Sequence, residues 1–269
     1  MQLLQDEGTA GRLSLDGLLA ARRGEELVGA CWCQVAPGRL ATIWPPVIAG
    51  DEADKLAMAL MSAAVTVAVS RDAKLAKALV LDPNGPDAEW YRRSGFRHLT
   101  DRIEMSRTVD RAAASASTTP LEFESYSPAA HARLERIVER SYIDSHDCPQ
   151  LNGLRDANEV LESYRALGEF RADRWFIARH EQLDVGCAIV TDYPREEQCE
   201  LLYMGLAPEH RGQGWGISLV RNATSLARAI GRDRLVLAVD AQNQPALKTY
   251  LAAGFVEVER QAVMIRVLA

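Results

Sequence analysis

Residues 211–216 read Arg-Gly-Gln-Gly-Trp-Gly and lie between a strand-like run ending at Leu206 and a helix-like run. In the latter, Leu219, Ala223, Leu226 and Ile230 recur on one face. Glycines at alternate positions, Gly212, Gly214 and Gly216, let the backbone approach a ligand with no Cβ in the way. A helix starting directly behind such a loop offers unpaired N–H groups and partial positive charge, which suits a phosphate or pyrophosphate. A dinucleotide fingerprint needs glycine at 217, where Ile217 stands, and a nucleoside-triphosphate loop needs a Gly-Lys-Ser/Thr that the stretch lacks. A plain glycine-rich turn is the other reading of the spacing.

A second polar cluster is Asp144-Ser145-His146-Asp147-Cys148. Adjacent residues of one loop point in different directions, whereas the members of a catalytic triad converge from separate elements. No His-Glu-x-x-His or paired metal spacing accompanies the cluster, so no metal is expected. It reads as a polar loop or as a contact loop for a second substrate. The five cysteines (31, 33, 148, 187 and 199) are odd in number and form no Cys-x-x-Cys pair, which suits a reduced, cytoplasmic protein.

The elements that must position these residues alternate between strand and helix. Strands are expected at 121–125, 175–179, 185–191, 199–206 and 235–239, with a final strand pair within 255–267. Helices are expected at 128–141, from an Asp156 N-cap to about 167, at 214–230 and at 245–253, the last ended by Gly254. Residues 110–119 are small and polar without periodicity and read as a linker. With 269 residues, 48% hydrophobic and 25% charged, the chain has enough material for one large or two small globular domains. A net charge of −6 argues against a general nucleic-acid binder. The longest apolar run, 56–69, is too short for an ordinary membrane span and reads as a buried helix. The N-terminal residues lack the basic and apolar regions of a signal peptide.

The halves echo each other. Leu56, Leu60, Ala63 and Val67 repeat the helical spacing of Leu219, Ala223, Leu226 and Ile230. Tyr91, Gly95 and Phe96 match Tyr250, Gly254 and Phe255 at a constant offset of 159 residues, which points to internal duplication. Where the second half has its glycine loop, the first reads Trp44-Pro45-Pro46 and then Gly50-Asp51-Glu52-Ala53-Asp54. Two prolines remove N–H donors, and three carboxylates would occupy a helix N-terminus and repel a pyrophosphate.

Arg211-Gly-Gln-Gly214-Trp-Gly216 resembles the Arg/Gln-x-x-Gly-x-Gly/Ala signature of the GCN5-related N-acetyltransferase (GNAT) family, and residues 243–255 resemble its next motif, in the same order. The resemblance covers most of 121–269. It implies an α/β (α+β) fold of two tandem GNAT-like domains of the mycothiol synthase type, each a mixed, mostly antiparallel sheet flanked by helices. The expected division is a degenerate domain over 1–109, the linker over 110–119 and an acyl-CoA-binding domain over 120–269.

The implied activity is acyl transfer from acyl-CoA, chiefly acetyl-CoA, to a small-molecule or peptide amine, without nucleic acid or membrane. Met204, Gly205, Leu206, Arg211, Gly212, Gln213, Gly214, Trp215, Gly216, Ile217, Asn243 and Lys248 fall at cofactor-binding positions of the pattern. The Leu206 N–H is placed to hold the thioester oxygen. Tyr250 falls where a tyrosine serves the departing sulfur, and Glu200 where a glutamate serves as base. An ordinary carboxylate lies about 6 pH units below an ammonium, so Glu200 needs a raised pKa, a water relay or an amine that arrives neutral. Asp144, His146 and Asp147 fall in the loop that contacts acceptors. The alternatives are an acyl-CoA sensor without turnover and an aminoacyl-tRNA-dependent transferase.

Overall fold

The computed structural model describes residues 15–50, 52–110 and 119–268. Most of the expected linker, residue 51 of the acidic run and the residues read for a signal peptide lie outside this set. The described elements run, in chain order, β1 (Leu18–Arg23), β2 (Glu26–Ala36), β3 (Leu40–Ile43), β4 (Val47–Ile48), α1 (Ala53–Ser70), β5 (Leu75–Val80), α2 (Pro86–Arg93) and β6 (Arg97–Thr108). They continue with β7 (Glu122–Ser125), α3 (His131–Tyr142), α4 (Ala157–Arg165), β8 (Trp175–His180), β9 (Leu183–Tyr193) and β10 (Gln198–Leu206). The last are α5 (Trp215–Ala229), β11 (Arg234–Asp240), α6 (Gln244–Ala252) and β12 (Val256–Val267).

Two compact units form. One gathers the described residues up to His98 together with those from Ala262 onward; the other spans Leu99–Gln261. A division at the linker alone would have left β6 with the first half and all of β12 with the second. Instead β6 pairs antiparallel with β11, Asp240 opposite Arg102 and Arg234 opposite Thr108. The Ala262–Val267 stretch of β12 pairs antiparallel with β5. The expected strand pair at the C-terminal end is thus one long strand, because nothing between 256 and 267 supplies the Gly, Pro, Asn or Asp that a hairpin turn requires.

In the first unit the order is β1, β2, β3, β5 and the end of β12, with β3 and β5 parallel over three residues. Ala57, Leu60, Met61, Ala64, Val65 and Ala68 recur at helical spacing and bury one stripe of α1 in that unit's core. By length and composition α1 is apolar enough to cross a membrane. Tyr91 is fully buried and donates its hydroxyl to the Ile43 carbonyl at 2.7 Å, where β3 ends.

In the second unit the order is β6, β11, β10, β9, β8, β7, antiparallel except for β10 against β11. Helices cover both faces, so β9 is buried continuously from Val185 to Asp192 instead of alternating. Leu134, Ile137, Val138 and Leu161 of α3 and α4 pack on Trp175, Ile177 and Ile189. On the other face Val220, Ala223 and Ala227 of α5 pack on Cys199, Leu201, Leu235 and Leu237. Asp156 caps α4 as expected: its carboxylate accepts the Glu159 N–H at 2.8 Å, and Glu159 accepts the Asp156 N–H at 3.1 Å. Such a cap contributes about 1 kcal/mol.

Candidate active site

The site begins where two parallel strands part. β10 and β11 are paired only from Gln198–Arg234 to Leu201–Leu237. The register of β10 against β9 then shifts between Leu201 and Tyr203, a bulge that bends the strand. Beyond it β10 keeps β9 as far as Leu206 but has lost β11. In a ladder alternate residues direct their N–H and C=O to opposite sides, so part of Tyr203–Leu206 turns backbone donors and acceptors into the gap. Gly205 is required by close packing. A Cβ there would sit 2.6 Å from Ser141 Oγ and 2.9 Å from the Tyr203 hydroxyl, which themselves form a 2.6 Å hydrogen bond.

The glycine loop opens directly onto this gap's end of the strand. Gly214 is the N-cap of α5 at φ +74, a left-handed conformation that favours glycine, and no side chain caps the helix. The first turn of α5 carries no carboxylate. A Cβ built at Gly212 or Gly214 meets nothing within 4 Å, so the loop faces open space with its N–H groups available to an anion.

The remaining expected cofactor residues divide by what their side chains do. Gln213 is exposed, and Met204, Leu206 and Ile217 are half-buried. Trp215 is buried between the rings of His180 and His210, at centroid distances of 4.8 and 5.7 Å, leaving its backbone N–H to act. Gly216 lies against Thr249. The Arg211 guanidinium is spent on the fold: it donates to the carbonyls of Leu206 at 3.1 Å, Asp144 at 3.1 Å and Ser141 at 2.9 Å. It clamps the strand end, the glycine loop and the end of α3 together. Asn243 caps α6 by accepting the Ala246 N–H at 3.2 Å, and Lys248 is exposed on that helix.

Over the end of β11 lies the 143–153 loop. Its three expected acceptor residues behave differently. His146 is exposed, and Asp144, at φ +50, is anchored through its carbonyl by Arg211. Asp147 belongs to a cluster in which its carboxylate, the Cys148 thiol and the Asp240 carboxylate all lie within 4.8 Å of one another. Asp240 is buried and accepts hydrogen bonds from Thr100 Oγ1, the Cys148 N–H at 3.1 Å and the Gln242 N–H at 2.8 Å. Burial, then Asp147 and Asp240, raise the Cys148 thiol, so it stays protonated. Asp147 is accessible to water yet densely surrounded by protein. That surrounding, and then the Asp240 charge, lift its carboxyl to about 6.

Tyr250 reaches this region from the α5–α6 face. It is buried beside Phe255, and burial followed by the Asp147 charge raises its phenol. Glu200 lies on the opposite face of β10, before the bulge, in a small cleft with Arg102, Glu104, Tyr193 and Val236. Burial and then the Glu200 charge raise Tyr193, whose hydroxyl donates to the Glu200 carboxylate. The structure therefore brings Tyr250 and Asp147 within electrostatic reach of each other and sets Glu200 further down the strand.

Asp240, Thr100, Tyr193, Arg102 and Glu104 were not singled out from the sequence. Alternation along β11 would have placed Asp240 with Val236 and Ala238, opposite the Leu235, Leu237 and Val239 that pack beneath α5. For the others no local signal exists.

The parted strands, the bulge and the glycine-led helix follow one another within residues 198–229. Residues 139–255 match the model of the Acetyltransferase (GNAT) family and form a GNAT acetyltransferase domain. The chain is 27% identical over 210 residues to a mycothiol acetyltransferase of Corynebacterium glutamicum, covering 76% of this chain and 68% of that one. It spans only 24%, 44% and 48% of the length of three other acetyltransferases that it matches. A GCN5-related N-acetyltransferase from Sphaerobacter thermophilus superposes with a TM-score of 0.64 at 14% identity, covering 99% of this chain and 85% of that one. A tandem GNAT protein from the clavulanic acid biosynthesis pathway superposes with a TM-score of 0.54 at 16% identity, covering 96% and 86%.

Proposed function

We propose that the second unit transfers an acyl group, acetyl in the first instance, from acyl-CoA to a cationic amine by direct attack within a ternary complex. The observation that carries this reading is the parting of β10 and β11 beyond Leu201 beside the uncapped, acid-free N-terminus of α5. The gap offers strand hydrogen bonds to a pantetheine arm, and the helix N-terminus offers N–H groups to its pyrophosphate. The relatives' names are those of acetyltransferases, which supports acetyl-CoA as the donor.

In the reaction a nitrogen–carbon bond forms as the thioester carbon–sulfur bond breaks. The Leu206 N–H is assigned to the carbonyl oxygen, which becomes negative as the tetrahedral intermediate forms. Tyr250 is assigned to the sulfur. Its raised pKa keeps the phenol protonated, so it stabilises the thiolate by hydrogen bonding and gives up its proton late. The ammonium must first lose a proton. Asp147, lifted to about 6, narrows the gap to an amine from about 6 pH units to about 4. Glu200, on the same face of β11's sheet as Asp240, is the second acceptor of that proton, through water. Asp147, Asp240, Glu104 and Glu200 against Arg102 give this face an acidic balance that attracts an ammonium. The five cysteines are all unpaired thiols, which supports a cytoplasmic location.

The test is thiol release from acetyl-CoA by the full chain over a panel of di- and polyamines, amino acids and aminoglycosides. Saturable turnover with a cationic amine is expected. Acetyl-CoA binding without turnover on any amine, or activity only with charged tRNA, would replace this reading by a sensor or an aminoacyl transferase.

A further inference from the structure

The first unit has lost the features that would hold a pyrophosphate at α1, yet it contains a cleft of about 810 Å³, a volume typical of small-molecule sites. The cleft lies between α1, the end of α2 and the end of β12. Three guanidiniums line it, from Arg93, Arg97 and Arg266, and among the described residues no carboxylate does. Arg93 is partly neutralised by Asp54 at 2.6 Å. Arg266 donates to the Ser94 carbonyl at 2.5 Å, a neutral partner, and has no ion pair among the described residues. Arg97, exposed, has no hydrogen bond or ion pair among the described residues. The Ser94 hydroxyl on the same wall is buried and has no partner among the described residues, which costs free energy unless something supplies one. Met58 and Ile265 add apolar surface beside these groups.

In a chain of net charge −6, a pocket with two guanidiniums that have no ion pair and no lining carboxylate among the described residues is an electrostatic trap for an anion. Guanidinium forks match the oxygens of phosphate and carboxylate, and the apolar wall suits a ligand with an organic body. We propose that the first unit binds a small organic anion, a phosphate or carboxylate on an apolar body, in the cleft of Arg97, Arg266 and Ser94, separately from the acyl-CoA site.

The test is calorimetric titration of the full chain with phenyl phosphate and, in a second arm, benzoate. Variants Arg97→Glu and Ser62→Glu each place a carboxylate in the cleft at an exposed position, and Arg136→Glu makes the same charge change as the first of these elsewhere on the surface. One saturable site per chain is expected, weakened at least tenfold by Arg97→Glu and by Ser62→Glu and unchanged by Arg136→Glu. Acetyl-CoA affinity should be the same in all four proteins. The stronger of the two probes identifies the anionic group. Failure of both probes to saturate, equal binding by wild type and Arg97→Glu, or equal weakening in all three variants would overturn the proposal.

Discussion

Tyr91 and Tyr250 stand at matching places in the two halves and have opposite fates. Each follows a strand on a short helix, about one turn before a glycine and a phenylalanine. In the first unit the phenol is fully buried and bonded to the Ile43 carbonyl, at the end of the strand that parallels β5. In the second unit the corresponding strands pair over four residues and then part, and Tyr250 lies beside the acidic loop. The helices behind the turns differ in the same sense. α1 starts at Glu52 with Asp54 in its first turn, and these are already paired with Arg23 and Arg93. α5 starts at a bare glycine. The two copies thus share a tyrosine position: in one the phenol is bonded to a strand end, and in the other it is the group proposed above to serve the departing sulfur.

This contrast predicts that the same substitution has different effects in the two copies. Tyr250→Phe should lower kcat by about 100- to 1000-fold, within the range for a lost general acid, while acetyl-CoA affinity stays within about twofold. Tyr91→Phe should leave kcat unchanged but destabilise the protein by about 1–3 kcal/mol, because it orphans a buried carbonyl. Single-turnover kinetics and urea denaturation read the two outcomes, and equal kinetic effects would erase the distinction.

A smaller effect comes from the turns. Gly214→Asp forces a side chain into a left-handed position and sets a negative charge at the helix N-terminus, so CoA affinity should fall by about 30- to 100-fold, roughly 2–3 kcal/mol. Gly50→Asp, also at a positive φ with open space around it, should leave CoA affinity unchanged by calorimetry. A matching loss there would mean that both halves bind CoA.

The smallest effect concerns pH. Because the Asp147 carboxyl titrates near 6, kcat/KM should rise through pH 6 as the carboxylate forms, and Asp147→Asn should flatten that limb and cost severalfold at pH 8. The stability effect has the opposite sign to that of a salt-bridged carboxylate. Between about pH 4 and 6 the folded chain holds a proton that an unfolded one, with a pKa near 3.9, has released. Stability therefore falls as pH rises through that window. Asp147→Asn should raise Tm slightly at pH 7 and leave it unchanged at pH 4.

Local pattern made much of the second unit legible in the sequence. The apolar stripe of α5, the Asp156 cap, the strands β7 to β11 and the glycine loop each depend on residues close together in the chain. The partners of β6 and β12 were not legible, because register and neighbours are set by tertiary burial and not by the strand's own residues. The Asp147–Cys148–Asp240 cluster joins positions about 92 residues apart, a distance at which spacing carries no information. Arg211 suited the cofactor motif by type, and only its three carbonyl acceptors reveal a clamp. Glu200 and Tyr250 were chosen together, but the alternation of β10 turns Glu200 away from the face on which α6 carries Tyr250.

The strand exchange also decides the order in which the molecule can be finished. β5 is made early, but its antiparallel neighbour Ala262–Val267 follows about 190 residues later. During synthesis the first unit waits with an open sheet edge until nearly the whole second unit has left the ribosome. Such an edge is a template for wrong partners, and closing so long a loop is slow. Cutting the chain between residues 110 and 119 would not release two independent halves, since each would carry away a strand that the other needs.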